Sequence, residues 1–442
     1  METLILVVFF LGYLAITLEH TLKIDKLIPA LAMMAILWAL ISLTHLPVFD
    51  IDNVTRSLHE THIEKILLHH LGKTAEILVF LLGAMTIVEI IDYFDGFATI
   101  KSFIRTNVKV KLLWIFSILA FILSAIIDNL TATIVLITIL QKVIQDRNTR
   151  LWFAGLIIVA ANAGGAWSPI GDVTTTMLWI GKKVTTPELI KYLFIPSIVC
   201  MVFPTLIASQ YNAFRGTINN KEVGEIRKSP FGSRMLYLGL GSILFVPFFK
   251  QITHLPPYVG MMLSLAVVAA FAELFSSAKF SLSNIDEAAD DHAIHSPVHA
   301  ALTKIELPSI LFFLGILMAV GALESLGLLF NFAGQLTQAI PNMDIVVSLF
   351  GVISAVIDNV PLVAASMGMF SQGADDPIWH AIAFAAGTGG SMLVFGSAAG
   401  VVAMGMEKIN FFWYFKKISI LAFVGFLSGY LTFMLMRDYI LA

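Results

Sequence analysis

The chain has 442 residues, 58% of them hydrophobic and only 13% charged, with a mean hydropathy of +0.88. A net charge of −3 gives no footing for nucleic acid as a partner, and a single cysteine, Cys200, excludes an internal disulfide. Apolar runs near the ~20 residues that a ~30 Å hydrocarbon layer demands recur from end to end, so the sequence predicts an all-α polytopic protein integral to the lipid bilayer.

The first run begins at Leu4 with no basic residue ahead of it and no small-residue cleavage pattern after it, and reads as a retained span. Two spans, Leu4 to Leu18 and Leu27 to Leu43, precede a polar segment from Thr44 to Lys73 that holds His45, His59, His62, His69 and His70. A third span covers Thr74 to Tyr93. A basic stretch with Lys101, Arg105, Lys109 and Lys111 then leads into Leu112 to Gln141. That stretch is about 30 residues, too few for two full spans and a turn. It is either one helix that buries Asp128 or a re-entrant hairpin with Asp128 at its tip.

The distribution of positive charge chooses between them. A hairpin leaves both flanking loops on one side, and both are basic. Continuing on that assumption, Leu151 to Ile180 crosses outward, Leu189 to Gln210 returns, and residues 211–234 lie inside. Met235 to Phe249 and Tyr258 to Phe275 form an out-and-back pair, and the His-bearing loop of residues 276–304 is again inside. The inside loops then hold most of the 27 Lys and Arg residues; a single-span reading reverses every later loop.

The Asp-Asn stretch "SAIIDNLTATIVL", Ser124 to Leu136, returns as "SAVIDNVPLVAAS", Ser354 to Ser366. The segments around it return as well. Residues 77–94 align with residues 309–326, and "NAGGAWSPIGDVTTT", Asn162 to Thr176, aligns with "GTGGSMLVFGSAAGV", Gly387 to Val401. On the topology above the second copy is upside down, so the expected architecture is an inverted repeat with two re-entrant hairpins and two broken transmembrane helices, the layout of a secondary transporter. The division that follows is residues 1–73 (two spans and an outer His-bearing segment), 74–210 (first repeat, hairpin tip 128–131, break 163–175), 211–304 (linker loops and two connecting spans) and 305–442 (second repeat, tip 358–361, break 387–400).

Where a span stops and restarts, backbone groups lose their intrahelical partners and must face a cavity, a ligand or other protein. Asp128 and Asp358 sit where the second hairpin arms begin, so each reads equally as an N-cap. Capping does not exclude function. An ionised carboxylate at that depth costs several kcal/mol unless a cation pairs with it or a proton neutralises it, and that alternative is itself a mechanism for exchange. Around the first break, marked by Gly164, Gly165, Pro169 and Gly171, lie Ser168, Asp172, Thr174, Thr175 and Thr176; the second copy has Ser397 in the place of Asp172. Oxygen donors of this kind suit a small hard cation. For the hydroxyls, bonding back to their own helix is the alternative. Ser124 and Ser354, four residues before their aspartates, share a helical face with them.

The Asp-Asn hairpins together with "AGGAWSPIGDVTT" resemble the NhaD-type sodium/proton antiporters of the ion transporter superfamily, over nearly the whole chain. The resemblance implies exchange of Na+, and of Li+, for H+ in pH homeostasis, a scaffold part beside a transport part, a homodimer, and a bacterial inner membrane. It implies no cofactor beyond the transported ions. By motif match it places cation and proton handling on Asp128, Asn129, Thr131, Asp172, Thr174, Thr175, Ser354, Asp358 and Asn359, with Asp128, Asp172 and Asp358 as the Na+ ligands. Ser124, Ser168 and Ser397 are secondary candidates. Dicarboxylate relatives carry Ser-Asn-Thr where this chain has Asp-Asn, and carboxylates at the tips repel an anion.

Three further acidic or histidine features are open. Glu89, inside the third span, is a proton-path residue or a satisfied structural acid. Glu76 and His69, seven residues apart on one helical face, are a proton gate or pH sensor, or a solvated interfacial patch. His292, His295 and His299 in the acidic loop are a metal site or a solvated trio. The leading function is therefore Na+/H+ antiport; the alternative is a Na+- or H+-coupled transporter of a small solute such as arsenite or a carboxylate. An integral-membrane enzyme fits poorly, because no metal-ligand cluster or nucleophile-base set is found at depth.

Overall fold

Helix follows helix because long apolar runs can satisfy their backbone groups in lipid only within themselves. A computed structural model of the chain describes residues 1–17, 23–52, 57–101, 106–218, 231–283, 296–356, 359–394 and 396–441. Seven helices among these are long and apolar enough to cross a membrane. The one sheet among the described residues is a two-stranded antiparallel hairpin, Val48–Asp52 with Ser57–Thr61, in the polar segment after the second span. His292, His295 and Asp358 lie outside the described residues.

Two helical bodies emerge from the packing. The first, a frame, contains α1 (Glu2–Thr17), α2 (Leu27–Leu43), α3 (Ile63–Tyr93), α4 (Ala98–Lys101), α10 (Gly232–Thr253), α11 (Pro257–Ser283), α12 (Pro297–Leu302) and α13 (Leu307–Ser325). Here α2 packs along α13 and α11 packs along α3, so the helix pair that precedes each repeat covers the other repeat's first helix. Trp38 of α2 donates from Nε1 to the Met318 carbonyl of α13 at 2.9 Å. The helix α3 begins at Ile63, eleven residues before the span expected from Thr74, because Glu64, Lys65, Lys73 and their neighbours continue the same helix beyond its apolar part.

The second body carries the repeated motifs. Its first hairpin is α5 (Lys109–Ile127) and α6 (Asn129–Val143), and its first broken helix is α7 (Arg147–Gly165) and α8 (Val173–Ile180), followed by α9 (Thr186–Ser209). After α14 (Leu328–Ala339) come the second hairpin, α15 (Met343–Ser354) and α16 (Asn359–Met369), the second broken helix, α17 (Pro377–Gly389) and α18 (Ala398–Glu407), then α19 (Phe411–Lys417) and α20 (Ser419–Tyr439). The two arms of the first hairpin end on one face. Two hydrogen bonds from Thr149, with a lesser contribution from Lys109 at the base of α5, hold the Asp146 carboxyl below its usual range, beside the base of α6. We term this the basic face.

The two broken helices run antiparallel. At the basic face Arg150 Nε, in the first turn of α7, meets both Glu407 oxygens at the end of α18 at 3.1 Å. At the far face the Thr185 amide, just past α8, donates to Asp375 Oδ1 at 2.7 Å, two residues before α17. Glycines allow the tight crossing of hairpin and broken helix in both copies. A side chain on Gly164 meets the Phe121 backbone of α5, and one on Gly389 meets the Gly351 backbone of α15. Corresponding packing recurs throughout: α18 lies on α6, and α8 lies on α16.

Candidate functional site

The break between α5 and α6 falls on Asp128, whose φ of 84° and ψ of 160° place a non-glycine residue in a sparsely populated region. Its carboxylate caps α6, accepting from the Thr131 amide at 2.8 Å and the Thr131 hydroxyl at 2.9 Å. The next residue, Asn129, is buried and donates from Nδ2 to Asp172 Oδ1 and to Asn162 Oδ1, both at 3.0 Å.

Asp172 is the point where the elements meet. It is the residue before α8, only 3% exposed, and it makes no cap bond to its own helix. Instead its Oδ2 accepts from Asn359 Nδ2 of the second hairpin at 3.0 Å and from the Thr174 hydroxyl. The asparagines of both hairpins thus converge on one carboxylate supplied by the first broken helix. Thr175 donates to the Asp172 carbonyl at 2.9 Å and Thr176 to the Pro169 carbonyl at 3.0 Å, which fixes the unwound segment of residues 166–172.

Asn162 was not singled out by the sequence. It lies in the last turn of α7, 1% exposed, between Asn129 and Ser397, donating to the serine from Nδ2 at 3.0 Å. Ser397 in turn caps α18 through the Gly400 amide. The available signal was an amide placed inside the run Ile157 to Gly165, where every other residue is apolar or glycine.

The remaining candidates separate. Ser124 donates to the Ala161 carbonyl at 2.5 Å and Ser354 to the Ala386 carbonyl at 2.7 Å, so each ties its hairpin to the adjacent broken helix. Ser168 accepts weakly from the Ile170 amide within the unwound segment. Glu89 lies near Asp92 and Lys304. His69 is exposed, with its ring 5.7 Å from that of His70. His70 is the histidine that turns inward; it contacts the Ser325 hydroxyl at 3.0 Å and, with Glu76, lines a cavity of about 530 Å³ open at the far face. Lys73, Lys183 and Glu324 line the same cavity, and burial pushes the Lys183 ammonium below its usual range.

Asp128 and Asp172 together border a second, much smaller space of about 20 Å³. Phe80, Leu81, Ile127 and Ile170 are among its other walls, and no lysine, arginine or histidine is among the described residues that line it. A space of that size holds about one water-sized body.

The family model described as "Citrate transporter" matches residues 4–381. Sodium/proton antiporter 2 of Arabidopsis thaliana is 40% identical over 98% of this chain and 99% of its own length. The Na(+)/H(+) antiporter NhaD of Vibrio cholerae is 30% identical over 90% of this chain and 84% of its own. Among solved structures, the YdaH transporter of Alcanivorax borkumensis matches with a TM-score of 0.54 at 14% identity, covering 93% of this chain and 97% of that one, a likeness of fold.

Proposed function

The chain belongs to the citrate transporter family and within it to the NhaD-type sodium/proton antiporters, and from that premise we propose that it exchanges Na+ for H+ at the Asp128 and Asp172 carboxylates. The observation that carries this reading is the small space between them. Two carboxylates border a water-sized cavity with largely apolar walls and, among the described residues that line it, no side-chain cation. Uncompensated, their charge costs several kcal/mol at such depth. Either Na+ or protons relieve that cost, and both cannot do so fully at once. Na+ entering from one face displaces protons, and protons arriving at the other face displace Na+.

The protein's own residues supply the rest. Thr131 and the α6 amides hold Asp128 in place, and Asn129, Asn359 and Thr174 orient Asp172. These donors keep the carboxylates charged enough to attract a cation without neutralising them. The antiparallel broken helices support an inverted-repeat reading, in which each hairpin approaches the site from its own face. Asp358, by its place in the repeat, is the third acid of the site. Li+, a small hard cation like Na+, is expected to substitute for it. An anion such as citrate meets only like charge here, which argues against the anion reading that the family description offers. The relatives span a plant and bacteria, so the family goes with an integral membrane location and not with one organism's membrane.

The test is purified protein in inside-acid liposomes with a pH-sensitive dye. Addition of Na+ or Li+ outside should collapse the gradient, and K+ should not. No response to any cation, with uptake of a labelled carboxylate instead, replaces this reading with solute transport.

A further inference from the structure

The two bodies meet along a seam that includes α13 against α16 and α3 against α8. Phe80 of α3 sits edge-on to Trp179 of α8, ring centroids 6.2 Å apart. Across the same seam a polar group reaches from the frame into the ion-site body. Lys250, in the last turn of α10, donates from Nζ to the Trp179 carbonyl at 3.0 Å and lies 4.2 Å over the centre of the Trp179 ring.

The target of this contact is informative. The helix α8 has eight residues, about 12 Å, too short to bend, so its two ends move together. Its N-terminal end carries Asp172, Thr174 and Thr175; its C-terminal end carries Trp179. The last carbonyls of any helix lack intrahelical partners and carry partial negative charge. Here the Gly181 amide serves Met177, the Lys183 amide serves Leu178, and Trp179 receives a long bond from the Lys182 amide at 3.3 Å. Lys250 completes that end from the other body. The cavity of about 530 Å³ is bounded by both sides of the seam, with Met177 and Ile180 on one wall and Ile77 and Leu317 on the other. Lys182 and Glu76 are the charged groups facing Lys250.

We propose that Lys250 is a positioning residue for exchange, a clamp from the frame that holds the far-face end of the short ion-site helix while the large cavity is open, and that releases it when the bodies shift. It acts on the ion through α8 and does not touch it. The proposal rests on the exchange reading above, and its first readout does not depend on transport.

Leu317 lines the cavity from the frame. With the sole cysteine, Cys200, replaced by serine, a Leu317→Cys variant is labelled from the cavity side with a membrane-impermeant maleimide. Removing a cation from both a helix C-terminus and an indole face should shift the balance of states by about tenfold. Lys250→Met is therefore expected to slow labelling by about that factor and to raise the Na+ concentration for half-maximal exchange from that face, with less effect on the maximal rate. Lys250→Arg, which keeps both contacts, should restore both. If Lys250→Met does not fold, Lys250→Gln serves in its place. Equal labelling rates with an unchanged Na+ dependence overturn the clamp, as does a loss of exchange that tracks the amount of folded protein and is not restored by arginine. Failure of the wild-type protein to exchange Na+ overturns the exchange reading and leaves the labelling result to be judged alone.

Discussion

Asp172 accepts hydrogen bonds from the amides of Asn129 and Asn359 and from the Thr174 hydroxyl, so a change at this one side chain is felt by both hairpins. Asp172→Asn keeps the shape but removes the charge, and its amide meets other amides donor to donor. The expected result is loss of Na+-dependent proton movement in folded protein, measured in proteoliposomes beside a thermal unfolding curve. Asn162 acts one step away, joining Asn129 to Ser397. Asn162→Ala removes one of the two acceptors of the buried Asn129 amide, a cost of about 1–3 kcal/mol. About a tenfold rise in the Na+ concentration for half-maximal exchange is expected, with the maximal rate less affected. Glu89→Gln, by contrast, should leave exchange intact, because Glu89 lies near Asp92 and Lys304 and does not line the space that Asp128 and Asp172 border.

At the scale of the element, the ends of the broken helices hold the arrangement. The Arg150 and Glu407 side chains are 18% and 1% exposed, and Gln141 also donates to Glu407 at 3.0 Å. Glu407→Gln strands a largely buried guanidinium, and breaking such a pair costs about 3–5 kcal/mol; a clear fall in unfolding temperature is the measurement. Asp146 caps α7 through the Thr149 amide at 2.8 Å. Asp146→Ala should cost about 1 kcal/mol. Since this carboxyl titrates below the usual aspartate value of 3.8 in the folded protein, its contribution is present at neutral pH and fades as pH falls through that depressed value. The difference between wild type and Asp146→Ala should therefore shrink in acid.

The elements that carry polar punctuation were legible in the sequence. Asp128 marked the turn of the first hairpin, and Gly164, Gly165, Pro169 and Gly171 marked the first break, because an apolar helix offers few reasons to hold such residues. Elements without such marks were not legible. The pairing of α2 with α13 and of α11 with α3 is written largely in shape, through contacts such as Gly315 against the Ala30 backbone, and in a bond from the Trp38 indole to a backbone carbonyl. The start of α3 at Ile63 was missed since hydropathy sees only the apolar part of a helix that continues into water. Lys250, one residue beyond the expected Met235 to Phe249 span, carries no such mark. Its partner, a backbone carbonyl, has no signature in any side chain.

For the whole molecule, the division into a frame and a second helical body that meet along a seam gives the proposed exchange site something to move against. The large cavity reaches one face, and the carboxylates border the small space beyond it, with Ile77 and Met177 in the first wall and Phe80 and Thr176 in the second. In this account movement of one body against the other changes which face the carboxylates meet, and their shared use by Na+ and H+ ties the two flows together. A cation that needs ionised ligands releases protons when it binds and binds less tightly in acid. Titration calorimetry of Na+ into the purified protein, repeated in buffers of different ionisation enthalpy and at several pH values, counts those protons directly. Proton release on Na+ binding, an affinity that falls as pH falls, and loss of both in Asp172→Asn are expected. Na+ binding with no proton released and no dependence on pH contradicts a shared site.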